Sequence, residues 1–283
     1  MRNPEAKISG GQSVGAAVEE LLKHRNAGGQ KNLIIAADPE RYRSFQQIYL
    51  KLRQAEGRVF SDGQLRNLPE VAHGHPLAAE WRMRAASAER LIRHLKKSTR
   101  PEVILEIGCG NGWLANLLAR RTGHSAAALD INLTELRQGA RVFQQTPNLC
   151  FFYGEADKIG FPANCFRAVV LASAIQYFPH LRPVLRQFLK LLKPGGEIHI
   201  LDSPFYSADE IEAARERSRI HYERLGFPEM AAYYHHHAID ALAEFEPKFF
   251  YKPSSGRSGL LKKFAGRKSS PFPWIVIAGT KPL

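Results

Sequence analysis

An α/β fold, a parallel sheet carrying crossover helices on its faces, is predicted by three features of the sequence. From Pro101 onward, short apolar runs of strand length alternate with segments whose apolar residues recur every three or four positions. The run Val103-Ile104-Leu105-Glu106-Ile107 passes directly into Gly108-Cys109-Gly110-Asn111-Gly112, a buried strand ending in a glycine turn that opens a helix. Lys193-Pro194-Gly195-Gly196 then breaks a helical segment and turns the chain back.

Residues 1–100 are expected to form a helical N-terminal cap. Helix-period patterns cover 14–22 and 42–52, the run Leu33-Ile34-Ile35 reads as a short strand, and a third helix follows His75-Pro76. Its apolar positions Leu77, Trp81, Ala85, Ala88, Ile92 and Leu95 make one continuous face to pack on the sheet. Its other face carries Arg82, Arg84, Arg90 and Arg93, as a solvated surface or an anion contact. Strands are predicted at 103–107, 126–130, 150–153, 168–172 and 197–201, and helices at 113–120, 133–143 and 180–192. A helical insertion is expected over 202–247, where Ser207-Ala208-Asp209-Glu210 has capping-box spacing and starts a helix reaching about Leu225. A short helix at 238–245 and closing strands at 248–252 and 274–279 complete a seven-strand sheet in a domain spanning 101–283.

Composition narrows the partners. A chain of 283 residues holds one large domain and a smaller addition. Cys109, Cys150 and Cys165 form no CxxC pair, so neither a disulfide framework nor a zinc site is encoded, and a reducing cytoplasm is expected. No apolar stretch approaches the roughly 20 residues of a membrane span, and the N-terminus has no secretion-signal pattern. The net charge of +13 favours an anionic partner, and the eight cations after Glu246 carry much of it. That basic loop reads as a solubilising surface or as a docking patch.

The glycine turn implies a nucleotide-type ligand lying against bare backbone, and Asp130, 20 residues beyond Gly110, is placed to accept hydrogen bonds from ribose hydroxyls. Dinucleotide dehydrogenases use G-x-G-x-x-G, whereas this turn is G-x-G-x-G with Glu106 two residues before its first glycine. A carboxylate there opposes a pyrophosphate and suits the amino group and sulfonium of S-adenosylmethionine.

At this point the sequence resembles the class I methyltransferases, particularly those acting on small molecules such as the ubiquinone and menaquinone C-methyltransferases. The resemblance covers about 101–202 and runs through Glu106 to Gly112, Ala128-Leu129-Asp130, Gly154-Glu155-Ala156-Asp157, Phe161-Pro162 and Leu192 to Gly196, in order. It implies a Rossmann-like sheet, S-adenosylmethionine as cofactor and S-adenosylhomocysteine as product. Glu106, Gly108, Gly110, Asn111 and Gly112 would hold the methionine portion, and Asp130 the ribose. Ile131 would flank the adenine, Glu155 and Ala156 would read its edge with Asp157 as the alternative acid, and Ala172 would sit beside the transferred methyl. Gln176 joins the cofactor-binding set. One departure, Arg167 where relatives often have Asp, reads as a surface change.

No motif announces a catalytic base. Candidates are Tyr177, His180, Tyr206, Tyr234 and His237, with Gln176 and Asp202 also expected at strand carboxyl ends, where open α/β sheets bind ligands. The run His235-His236-His237, expected at a helix start, lacks metal-ligand spacing, so no metal is expected. The expected acceptor is a small or lipid-like molecule, with an anionic one among the options. Nucleic acid is disfavoured: Leu171-Ala172-Ser173-Ala174 stands where adenine methyltransferases carry their Asp/Asn-Pro-Pro-aromatic tetrad, and Cys165 precedes the fourth strand, where cytosine enzymes place their cysteine after it. An RNA-directed enzyme, a nonenzymatic cofactor-binding protein and a nicotinamide-dependent oxidoreductase are the alternatives.

Overall fold

Successive apolar side chains of the central strands point to opposite faces of one sheet in the computed structural model, which describes residues 6–7, 18–19, 32–96, 100–253 and 270–279. Among these described residues the strands are β1 Ala6–Lys7, β2 Leu33–Ile35, β3 Val103–Ile107, β4 Ser125–Asp130, β5 Leu149–Tyr153, β6 Phe166–Ala172, β7 Leu192–Leu201, β8 Lys248–Tyr251 and β9 Trp274–Ala278. They lie in the order β1-β2-β5-β4-β3-β6-β7-β9-β8, parallel except for β9, which runs antiparallel to β7 and to β8. The sheet reverses direction of growth at β3, the position where such sheets open a ligand crevice.

The helices are α1 Arg43–Ala55, α2 Asp62–Asn67, α3 Ala78–Leu95, α4 Trp113–Thr122, α5 Leu133–Val142, α6 Leu181–Leu191 and α7 Ile211–Leu225. Ile104, Ala128, Phe151 and Val170 face α3, α4 and α5 through Leu91, Leu118 and Leu136. Leu105, Leu129, Phe152 and Val169 face α6 through Leu185 and Phe188. Each fully buried Leu or Phe of these layers stabilises the fold by ~1.5–3 kcal/mol. A third apolar cluster joins Leu52 of α1 to Tyr222 of α7 and to Met230, above the carboxyl edge of the sheet.

Several expectations are corrected. The sheet has nine strands where seven were expected, because β2 is a paired strand beside β5 and brings β1 with it. Residues 193–196 do not form a simple turn between helix and strand. Phe166 pairs with Leu192 and Ala168 with Glu197, so the four residues bulge from the ladder opposite Arg167, whose Nη1 donates to Gly195 O at 3.0 Å. Arg167 also lies 3.6 Å from Glu102 and 3.8 Å from Glu197, so the residue read as a surface change holds this bulge. The stretch 238–245 is a 3-10 turn, and His235–His237 is extended chain after the 3-10 segment Pro228–Tyr233. Helix α2 has a complete Ser61/Gln64 capping box that the periodicity did not single out. The capping box at Ser207 is present, with the Ser207 N–H donating to Glu210 at 3.1 Å. Of the helix expected over 14–22 only Val18 and Glu19 are described, and most of the basic loop after Lys252 lies outside the described residues.

Two packing constraints fix the glycine turn. A Cβ on Gly112, at φ +74°, would stand 2.3 Å from the Phe151 ring, and one on Gly139 would stand 2.3 Å from the Asn111 carbonyl oxygen. Gly139 therefore lets the α5 backbone approach the turn, and Gly112 lets the turn lie against the Phe151 ring of β5. Gly110, at φ +56°, is open by comparison, its nearest contact being Glu135 Oε2 at 3.4 Å. Urea denaturation is expected to show Gly112→Ala destabilised by ~2–4 kcal/mol, from overpacking added to left-handed strain. Gly110→Ala should lose only ~1–2 kcal/mol, from the strain alone. Equal losses at the two positions would refute this account of the turn.

Candidate functional site

The glycine turn is held from below by backbone and by one carboxylate. The N–H groups of Gly108 and Cys109 both donate to Leu129 O, at 2.9 and 3.1 Å. Asp130, at the end of β4, accepts from the Gly110 N–H at 2.7 Å through Oδ2 and from the Asn132 N–H at 2.7 Å through Oδ1. Asn132 caps α5 and donates to Glu135 Oε2 at 3.0 Å. Burial raises the Asp130 pKa, and hydrogen bonds from Gly110, Asn132 and Ile131 oppose that rise. Glu106 is buried on β3 with Oε2 unpartnered, and burial pushes its pKa up to about 8. Burial likewise pushes up the Cys109 thiol, which stays protonated and unreactive.

Above the turn, at the carboxyl ends of β3, β4, β6 and β7, lies a cavity of about 1310 Å³. That exceeds the roughly 300–1,000 Å³ of a pocket for one small ligand, so the space suits a nucleotide with a second molecule beside it. The cavity gathers Glu106, Gly108, Gly110, Asn111, Asp130, Ile131, Glu155, Ala156, Asp157, Ala172 and Gln176. It also gathers Tyr177, His180, Tyr206 and Tyr234, whereas Gly112 and His237 lie outside its lining. Gly112 serves the packing on Phe151, and His237 shares its Nε2 with Ile175 O at 3.2 Å.

Buried polar atoms without partners concentrate here. Tyr42 Oη, Arg53 Nε, Trp81 Nε1, Glu106 Oε2 and Gln176 Oε1 all belong to cavity-lining residues. Buried groups are normally satisfied, so this grouping marks a surface built for a polar ligand. The backbone is strained beside it, with Ser173 at φ +55° and Asp202 at φ +50° after β6 and β7. Asp202 is buried and accepts from Ser87 Oγ at 2.8 Å.

Aromatic rings form the opposite wall. Tyr49 of α1 meets Tyr177 edge-on at 6.0 Å, Tyr177 meets Tyr234 at 6.1 Å, and Tyr234 meets Tyr222 of α7 at 6.1 Å. Burial raises the pKa of each of these tyrosines, so their hydroxyls are neutral near pH 7. Helix α1 is fixed over the site by Gln46, which donates to Tyr153 Oη and accepts from the Leu133 N–H, both at 3.1 Å. Among the wall charges, Glu80 sits between Arg58, at 2.5 Å, and Arg84, at 2.9 Å. Burial alone would raise the Glu80 pKa, but the two guanidinium groups hold it down at about 2. Sequence reasoning missed Tyr42, Tyr49 and Arg53, because an amphipathic helix ahead of the motifs carries no chemical signature.

The histidine run faces a smaller cleft of about 460 Å³, with His236 Nε2 2.9 Å from Ser218 Oγ. Burial, with the charge of Arg215, lowers the His236 pKa to about 4. Away from both cavities, ligand atoms of His94, Glu197 and His199 lie within 4.8 Å of one another. His199 Nδ1 accepts from the Trp274 indole N–H at 3.3 Å, which places its proton on Nε2, facing Glu197 at 3.5 Å. A protonated nitrogen cannot ligate a metal, so the cluster is built as a polar contact of α3 with β7, with His94 Nε2 2.7 Å from Glu197 Oε2.

Comparison with known proteins agrees with this geometry. A model of the methyltransferase domain matches residues 104–196. A ubiquinone/menaquinone biosynthesis C-methyltransferase of Chromobacterium violaceum is 32% identical over 114 residues, 36% of this chain and 47% of that protein. A sterol 24-C-methyltransferase of Gibberella zeae is 31% identical over 120 residues, 40% of this chain and 32% of that protein. The chain spans less than half the length of these curated relatives. In fold it is similar to the geranyl diphosphate C-methyltransferase of Streptomyces coelicolor A3(2), solved with Mg2+, geranyl-S-thiolodiphosphate and S-adenosyl-L-homocysteine. The TM-score is 0.56 at 15% identity, covering 86% of this chain and 98% of that one. The matched residues, 104–196, include the glycine turn and both of its carboxylates, Glu106 and Asp130.

Proposed function

We propose that the chain transfers a methyl group from S-adenosylmethionine to a small or lipid-like acceptor. The observation that carries this reading is the pair of carboxylates around a bare glycine turn: Glu106 buried with a free oxygen, and Asp130 already oriented by two backbone amides. Two cations of the methionine portion suit Glu106, whereas a pyrophosphate would meet its charge unfavourably. Each Asp130 oxygen keeps a lone pair for a ribose hydroxyl. Ile131 and Ala156 would flank the adenine, with Glu155 or Asp157 on its edge, and Ala172 and Gln176 would line the region of the transferred methyl. The cofactor, when bound, supplies a methyl on a sulfonium, which an acceptor nucleophile displaces in line.

The protein's own part is then positioning and exclusion of water. The tyrosine wall, neutral and largely apolar, would hold the acceptor body opposite Ala172. Tyr177, His180, Tyr206 and Tyr234 are the lining groups available to take a proton where the acceptor must lose one. The relatives' names, which include sterol, quinone and geranyl diphosphate substrates, support an acceptor with an apolar skeleton. The net charge of +13 supports an anionic one. A reducing, cytoplasmic setting is supported by the three free cysteines. No helix of the described residues is long and apolar enough to cross a membrane.

Calorimetric titration with S-adenosylhomocysteine, against NADH as control, tests the cofactor. Asp130→Ala removes two charge-assisted hydrogen bonds as well as the ribose contact, and should weaken binding by about a hundredfold. Preference for NADH would overturn the proposal. Proton linkage gives an independent test. With its pKa raised to about 8, Glu106 is protonated in the free protein at pH 7 and would ionise beside a cation. Affinity should therefore rise with pH and level off above about 8, with about one proton released per ligand at pH 7. The release is read from titration enthalpies in phosphate and Tris, and Glu106→Gln should abolish it. Identical enthalpies for the wild type in both buffers would remove Glu106 from this role.

A further inference from the structure

Among the described residues, one guanidinium of the cavity wall has a buried nitrogen without a partner. Arg53 lies on α1, lines the cavity, and has its Nε buried without a hydrogen bond. Among the described residues no carboxylate forms an ion pair with it. The acids nearest to it are committed elsewhere: Glu56 pairs with Arg58 at 3.0 Å, and Glu135 accepts from Asn132 at 3.0 Å. Its guanidinium carbon lies 5.7 Å from the centre of the Tyr49 ring. Burial alone would lower its pKa, but Tyr49, Glu135 and Tyr177 nearby more than offset this, so the group stays charged. A half-buried, charged arginine with its Nε desolvated and unpaired is costly unless a ligand completes it.

The position of the group says which ligand. Arg84 supplies the guanidinium charge acting on Glu106, at the glycine-turn end. Arg53 stands between the two ends: its charge reaches Asp130 and Glu135 beside the glycine turn, while its guanidinium lies against Tyr49, which meets Tyr177 on the aromatic wall, on a helix outside the matched domain. We propose that Arg53 is the anchor for an acidic group, carboxylate or phosphate, on the methyl acceptor, whose apolar body rests on the Tyr49 and Tyr177 rings. The planar fork of arginine suits both oxyanions in bidentate geometry. This rests on the reading of the cavity as a cofactor and acceptor site.

The test uses the full chain, with and without saturating S-adenosylhomocysteine, and three probes of equal chain length: decyl phosphate, decanoate and decanol. The wild type should bind one of the two anions at least about tenfold more tightly than decanol. In Arg53→Gln that ratio should fall to near one, and Arg53→Lys should keep part of it, as a charge without the fork. Thermal midpoints and S-adenosylhomocysteine affinity should stay at the wild-type values in both variants. The proposal is overturned if the wild type shows no preference for either anion, or if Arg53→Gln keeps that preference. It is also overturned if Arg53→Gln weakens S-adenosylhomocysteine but not 5′-methylthioadenosine, which lacks the amino-acid carboxylate. Failure of S-adenosylhomocysteine to bind the wild type would instead fall on the cofactor reading, and the probe comparison without it would still decide Arg53.

Discussion

The carboxylate of Asp130 is the joint on which the site depends. One oxygen holds the Gly110 amide and the other the Asn132 amide, so a single side chain fixes the glycine turn after β3 and the start of α5 after β4. Leu129 O, one residue earlier, receives the amides of Gly108 and Cys109 and closes the turn from the same strand end. Register between β3 and β4, set by buried side chains along both strands, therefore becomes the geometry of the cradle. Asn132 and Gly139 extend this control along α5, by capping its first turn and by letting its backbone approach Asn111. The cost is a group of desolvated acids in one pocket, Glu106, Asp130, Glu135 and Asp202. Asp130 offsets it with amide hydrogen bonds, and Glu106 does so by keeping its proton.

What was legible in the sequence follows from where stability comes from. Strand β3, the glycine turn and α3 carry their own signals, because a fully buried strand, a positive-φ turn and a continuous apolar helix face each restrict composition locally. Strand β2 was legible as the run Leu33-Ile34-Ile35 but its place beside β5 was not, and the two residues of β1 pair only because β2 offers an edge. The bulge at 193–196 depends on Arg167 reaching Gly195 O across the ladder, a contact that no local pattern announces. His235–His237 was read at a helix start and is extended chain, because the His235 amide donates to Gln176 O and His237 to the loop after β6. The glycine-turn half of the cavity was therefore readable as an ordered motif set. The aromatic half was not, because Tyr49 and Arg53 on an amphipathic helix look the same as a solvated face until α7 and Tyr177 are seen opposite them.

This asymmetry matches a physical division of labour. The glycine turn and its acids are made by strand ends whose register cannot drift without exposing the core. The aromatic wall is made by α1 and α7, which meet through Leu52, Tyr222 and Met230 and touch the sheet at few points. The proposed methyl transfer would need little from the protein beyond alignment and exclusion of water, so a rigid glycine-turn side joined to a separately built aromatic side would suffice for it. The tyrosines of that second side are neutral and the nearby Glu80 is paired twice, so neither the rings nor that acid offers Arg53 a counter-charge. Against such a background a single unpaired guanidinium gains in effect, because the same low dielectric that makes Arg53 costly alone strengthens its attraction for an incoming oxyanion. Anchoring one end of an acceptor there, rather than spreading weak contacts over the whole chain, orients its far end along a fixed wall of rings. Selectivity for the acid and alignment of the nucleophile would then arise from the same contact.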